Sequence, residues 1–231
     1  MGELESIAGR LARARERIAA AAGRAGRDPA RVKLMAVTKT VSAERVREAA
    51  ACGQMLFGEN RVQEAAEKIP AVGPGPKWHM IGRLQTNKVK AAVRLFDCVE
   101  SVDSIRLAEI LDRAARESGK VLPIFVEVNI GGEAQKSGAL PGDVERLLDL
   151  AAGLASIRVT GLMAIPPYSL DPEEARPYFR RMHDLWARLR ERGFGLDELS
   201  MGMSGDFEAA VEEGATIVRL GTVLFGVRGD G

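Results

Sequence analysis

Alternation constrains this chain more than any other feature. Eight short apolar runs of strand length recur along it, at residues 32–38, 55–58, 78–82, 98–102, 122–130, 161–165, 199–203 and 217–220. Stretches of helical period lie between them, for example 43–52, 61–68, 104–118, 143–154, 173–192 and 207–213. A strand that returns to its sheet through a helix makes a crossover, and crossovers build parallel sheets. Runs such as Met35-Ala36-Val37 and Ile124-Phe125-Val126 are apolar on both faces, as a helix-covered sheet requires. Eight units favour a closed barrel over an open, doubly wound sheet. The 231 residues fit a compact form of a fold that typically takes about 250. Before the first strand, Leu4, Ile7, Ala8, Leu11, Ala14 and Ile18 share one helical face, and Gly23, Gly26 and Asp28-Pro29 end that helix. The expectation is an α/β protein, a single-domain (β/α)8 TIM-type barrel over 32–231 with an extra N-terminal helix and turn over 1–28. The most turn-rich segment, Val72-Gly73-Pro74-Gly75-Pro76, is only of loop length. The chain stops soon after its last strand, so no second domain is expected.

Composition excludes several classes of function. Apolar residues make up 46% and charged residues 28%, ordinary values for a folded globular chain. The 33 Lys and Arg against 32 Asp and Glu leave a net charge of +1. No global field exists to hold nucleic acid or an anionic membrane, and neither is an expected partner. No apolar run approaches the roughly 20 residues of a membrane span. Arg10, Arg13, Arg15, Glu16 and Arg17 interrupt the start of the chain, which excludes a secretory leader and makes the cytoplasm the expected compartment. Two cysteines, Cys52 and Cys98, are too few for a disulfide framework and are expected to be reduced and buried. Only two histidines exist, His79 and His183, with no carboxylate at ligand spacing, so no metal is expected.

In a parallel barrel, chemistry sits at the carboxyl ends of the strands. Lys39 stands there after the first run, on the face of Met35 and Val37. It is either a lysine reaching out to solvent or an amine in a partly dry mouth, where desolvation frees it to attack a carbonyl. Asn60 and His79 occupy the ends of the second and third runs; a satisfied core histidine is the plainer reading of His79. Asn129 through Gly138 forms a polar, glycine-marked loop, either a simple turn or a cover over the mouth. Ser200 to Asp206 leads straight into a helix, and Arg219, Gly221 and Thr222 close the last run. An arginine inside an apolar strand must find a partner or a ligand. Backbone N–H groups beside Gly221 and Thr222 suit a phosphate, which this fold often holds after its seventh and eighth strands. No Walker loop or dinucleotide fingerprint is present. An amine at strand one and a phosphate cradle at strands seven and eight imply a small phosphorylated carbonyl compound. Pyridoxal 5′-phosphate fits that description.

Several segments then carry a resemblance. They are Ala36-Val37-Thr38-Lys39-Thr40, Phe57-Gly58-Glu59-Asn60-Arg61-Val62-Gln63-Glu64, and Trp78 through Lys88. Val128-Asn129-Ile130, Lys136-Ser137-Gly138, Gly161-Leu162-Met163, Leu199 through Ser204 and Val218 through Thr222 complete the set. In this order they resemble the pyridoxal phosphate homeostasis (YggS/PROSC) family, whose fold is like the N-terminal barrel of alanine racemase. The resemblance implies a Schiff base on Lys39, a phosphate held by Ser200 or Ser204 with Gly221 and Thr222, and Arg219 near the pyridine nitrogen. It places Asn60, His79 and Met163 near the ring. It implies a role in buffering or delivering the cofactor, with PLP-dependent apo-enzymes as partners, and no assigned catalytic residue. A weak racemase-like enzyme is the alternative. A charged guanidinium disfavours a neighbouring pyridinium and makes the ring a weaker electron sink. Racemases of the related fold carry a second domain and a partner-subunit base; without them no obligate dimer is needed, and a monomer is expected. Gln85, Asn87, Lys88 and Lys136 are read as exposed candidates for a secondary site or a partner contact.

Overall fold

The computed structural model describes residues 6–226. Eight parallel strands close into a barrel in chain order: β1 (Lys33–Val37), β2 (Leu56–Glu59), β3 (Lys77–Met80), β4 (Cys98–Val102), β5 (Leu122–Val128), β6 (Ile157–Ala164), β7 (Glu198–Met203) and β8 (Ile217–Leu220). The helices are α1 (Ile7–Arg24), α2 (Ala43–Ala51), α3 (Val62–Val72), α4 (Val89–Leu95), α5 (Ile105–Glu117), α6 (Val144–Ala152), α7 (Pro172–Glu191), α8 (Phe207–Glu212) and α9 (Thr222–Phe225). Closure is made by β1 against β8, with Met35 beside Arg219 and Ala36 beside Leu220. The expected single barrel with an N-terminal helix is the fold observed.

Strand alternation sorts side chains into two cores. Leu34 and Ala36 of β1 join the large shell between strands and helices. Met35 and Val37 point into the barrel, where they meet Ile81, Cys98, Phe125, Met163 and Ile217. The inward face of β1 is therefore the one that continues toward Lys39. Among the described residues of the first helix, Ile7, Leu11, Ala14 and Ile18 are buried as expected. Ala8 is exposed instead, and Leu4 lies outside the described residues. Ion pairs Arg17–Glu208 and Arg24–Glu212 fasten α1 to α8.

Some boundaries differ from the sequence reading. β6 starts at Ile157, four residues before the apolar run that marks it in the sequence. Arg158 is exposed and Val159 and Thr160 only half-buried, so the start of β6 does not read as apolar. β3 ends at Met80 rather than Gly82. Gly82 lies so close to the β2 exit that a Cβ there would sit 2.3 Å from the Asn60 carbonyl oxygen. Helix α4 was not among the singled-out patterns, although Val89, Ala92 and Val93 make its buried face. Cys98 is buried as expected, whereas Cys52 is only half-buried.

Candidate functional site at the carboxyl mouth

Strands and the loops that follow them deliver the pieces of the site. Lys39 follows β1 by two residues and is half-buried. Thr38, beside it, is fully buried, and its hydroxyl donates to Glu59 Oε1 at 2.6 Å. Asn60 follows β2; its side-chain oxygen is buried and has no hydrogen-bond partner. His79 on β3 faces inward, with Nδ1 2.6 Å from Glu100 Oε1 on β4, and its ring meets Phe125 edge-on at 6.1 Å. It is thus a partnered core histidine. Met163 on β6 is fully buried in the inner core.

The two serines separate. Ser200 is fully buried on β7 and accepts from Arg219 Nη1 at 2.7 Å. Ser204 lies beyond the end of β7 and accepts from the Gly221 N–H at 3.2 Å. Ser204 therefore meets the backbone cradle, and Ser200 braces the guanidinium. Gly202, at φ +90°, makes this geometry possible, because a Cβ there would sit 2.5 Å from the Ala210 methyl. Gly221 is half-buried and Thr222 exposed, so both are open to a ligand.

Arg219 is 4% exposed and also donates from Nη2 to the Ala164 carbonyl at 2.8 Å. Burial pulls it below its ordinary value; Glu100, Asp206 and Glu127 oppose that shift. Burial holds the Glu127 carboxyl above its ordinary value, although the Ser137 hydroxyl donates to it at 2.8 Å. The inner wall thus sets one guanidinium among carboxylates. Glu100 and Glu127 were missed by the sequence reading. The signal that singled out Arg219, a charge at an inward position of an apolar strand, applied to them equally.

Lys88 and Lys136 are half-buried rather than exposed, while Gln85 and Asn87 are exposed as expected. Lys136 is engaged, pairing with Glu133 and donating to the Pro166 carbonyl at 3.1 Å. Asn129 braces the same loop, its amide donating to the Glu133 carbonyl at 2.8 Å. A cavity of about 1320 Å³ opens at this end, lined by Asn60, Arg83, Ser101 and Arg106 among others. A second cavity, of about 700 Å³, lies at the opposite end among Lys33, Lys77, Arg158 and Glu198, where strands begin. Of the candidate residues only His79 reaches it. The carboxyl end is the one that gathers the candidate chemistry.

Comparison with known proteins agrees with this geometry. The family model of the alanine racemase N-terminal domain matches residues 10–229. A pyridoxal phosphate homeostasis protein of Aquifex aeolicus is 47% identical over 95% of this chain and 97% of its own length. The structure of PipY from Synechococcus elongatus, determined with PLP bound, superposes with a TM-score of 0.84 at 40% identity, covering 96% of this chain and 100% of that one. Alanine racemase of Clostridium difficile shares the fold, with a TM-score of 0.77 at 16% identity over 98% of this chain and 58% of its own. By its sequence and its fold, this chain belongs to the pyridoxal phosphate homeostasis proteins, within the alanine racemase N-terminal domain family.

Proposed function

We propose that this chain binds pyridoxal 5′-phosphate at the carboxyl mouth and serves to buffer the cofactor or deliver it to PLP-dependent apo-enzymes. The carrying observation is the closure of the barrel. It makes β1, which leads to Lys39, the neighbour of β8, which leads to Gly221 and Thr222. An amine and a phosphate cradle thereby share one edge of the mouth.

The residues present fit the group. Its phosphate would take over the Gly221 and Val223 N–H groups that donate to Ser204 Oγ, with the Ser204 hydroxyl and Thr222 beside it. Such charge-assisted bonds are among the stronger ones available. Asn60 brings a side-chain oxygen without a partner, and Glu100 has a buried oxygen in the same condition. Arg219 would stand toward the ring nitrogen. A guanidinium carries five N–H donors, and the Ser200 and Ala164 bonds leave some of them available. Met163 and His79 would border the ring. When bound, pyridoxal phosphate supplies an aldehyde that a lysine amine can hold covalently and a ring that withdraws electrons.

The chain's own residues favour holding over turnover. Arg219 is charged and fixed by two bonds, so it opposes a proton on the ring nitrogen beside it. Lys39 would anchor the aldehyde at a mouth that is only half-buried, which suits release. The test is an absorbance titration of the purified chain with pyridoxal phosphate. The expected result is a new visible band in the wild type and its loss in Lys39→Ala, with retained weaker binding through the phosphate. A band of equal strength in Lys39→Ala would contradict this placement of the anchor.

A further inference from the structure

Behind the mouth lies a buried cluster that the binding residues do not account for. Glu59 ends β2 and is fully buried. Its neighbour Gly58 faces the lumen, since a Cβ there would meet the Met35 sulfur at 2.6 Å. Glu59 therefore turns outward, beneath α3. Its Oε1 accepts the Thr38 hydroxyl at 2.6 Å and pairs with the Lys68 ammonium from α3. Its Oε2 accepts the Asn60 N–H at 3.3 Å. Lys68 Nζ donates in turn to the Thr38 carbonyl at 2.7 Å and lies 3.7 Å from Glu64 Oε2. Glu64 Oε2 accepts the Thr40 N–H at 3.0 Å.

These contacts bracket Lys39. Thr38 is held by its hydroxyl and its carbonyl, and Thr40 by its amide. Thr40 is the only non-glycine residue at positive φ among those described, at +63°. That conformation is costly for a β-branched side chain and persists only where the surroundings impose it. Here Glu64 holds the Thr40 amide, and the Val41 N–H closes the same turn by donating to the Thr38 carbonyl at 2.9 Å.

A contribution to folding alone is a weak reason for such a cluster. A buried ion pair is often no more stabilising than apolar residues of similar volume. Apolar residues would also seat α3 on β2. They could not grip the chain on both sides of Lys39, nor tie Asn60 to the same point. We infer that Glu59 and Lys68, with Glu64, are positioning residues that fix the turn bearing Lys39, and Asn60 with it, so that the amine meets the cofactor aldehyde in one orientation. This rests on the proposed binding of pyridoxal phosphate at Lys39.

Two variants test it. In Glu59→Gln/Lys68→Met both charges leave together, so no lone buried charge remains. In Glu64→Ala a half-buried carboxylate is removed and the Thr40 amide is released, with little risk to folding. The measurements are thermal unfolding, the rate at which the visible band forms with pyridoxal phosphate across pH, and the borohydride-trapped site mapped by peptide mass. The expected result is folded protein in which attachment slows about 10- to 100-fold, the range that small misplacements of reacting groups produce. Part of the label should also move from Lys39 to other lysines. Lys68→Arg, which keeps a cationic donor, should recover most of the rate. Glu64→Ala attaching at the wild-type rate, with all label on Lys39, would overturn the inference. So would a double variant that loses thermal stability while its attachment rate, pH profile and labelled site stay unchanged. Wild-type protein that takes no label on Lys39 is a different failure: it overturns the binding reading itself.

Discussion

Buried charges dominate at the residue scale. Arg219, Glu100 and Glu127 stand within the barrel wall and offset one another, and Ser200 and the Ala164 carbonyl take up donors of the guanidinium. Glu127 gives a sign that can be checked. Burial, the largest cause, raises its carboxyl above the ordinary value, and the Ser137 hydrogen bond opposes this. The folded chain then holds that proton more readily than the unfolded chain does. The resulting stability is fully present below the unfolded value and is lost as pH rises through the folded one. Glu127→Gln removes the titration and keeps an acceptor for Ser137. The variant should therefore melt higher than the wild type at neutral pH, and the difference should shrink toward about pH 4, near the ordinary glutamate value. A wild type that melts higher at neutral pH would contradict this. Residues of this kind are where sequence reading stopped short. A lone arginine in an apolar strand is conspicuous, but the carboxylates that answer it lie on β4 and β5, far away in the chain.

Individual elements divide labour between structure and binding. Ser200 lies within β7 and Ser204 follows beyond its end, and this difference in depth gives the two serines different duties. Ser200→Ala should leave a buried guanidinium donor unpaired and cost about 1–3 kcal/mol of stability in urea unfolding. Ser204→Ala, at the mouth, should leave stability nearly unchanged and weaken pyridoxal phosphate binding about tenfold, in line with one lost hydrogen bond to a charged group. The opposite pattern would mean that the phosphate sits deeper, at Ser200. Sequence alone offered both residues: it placed the end of the run at 203, where β7 ends, but not which serine the Arg219 guanidinium would reach. Periodicity located all eight strands. It fell short where inward positions are polar, as at Arg158 and Thr160 of β6, and where a helix is as short as α4, with 7 residues. α3 read simply as an amphipathic helix. That its Lys68 reaches the carbonyl of Thr38 depends on the packing of α3 against β2.

Closure of the barrel is the decisive fact for the whole molecule. A count of eight strand–helix units suggests closure, but only the β1–β8 pairing makes the first and last strands neighbours. That pairing joins a lysine near residue 40 to an amide cradle near residue 220, and neither has a clear purpose without the other. The inner wall then supplies a fixed guanidinium, and the outer shell supplies the Glu59–Lys68 cluster behind the lysine. Borohydride reduction of the pyridoxal phosphate-loaded wild-type chain, followed by digestion and peptide mass mapping, shows whether the cofactor is held where β1 meets β8. The expected result is one dominant label, on the peptide that contains Lys39, and bleaching of the visible band in step with it. Label spread evenly over surface lysines, or concentrated on a lysine away from the β1 end, would contradict it.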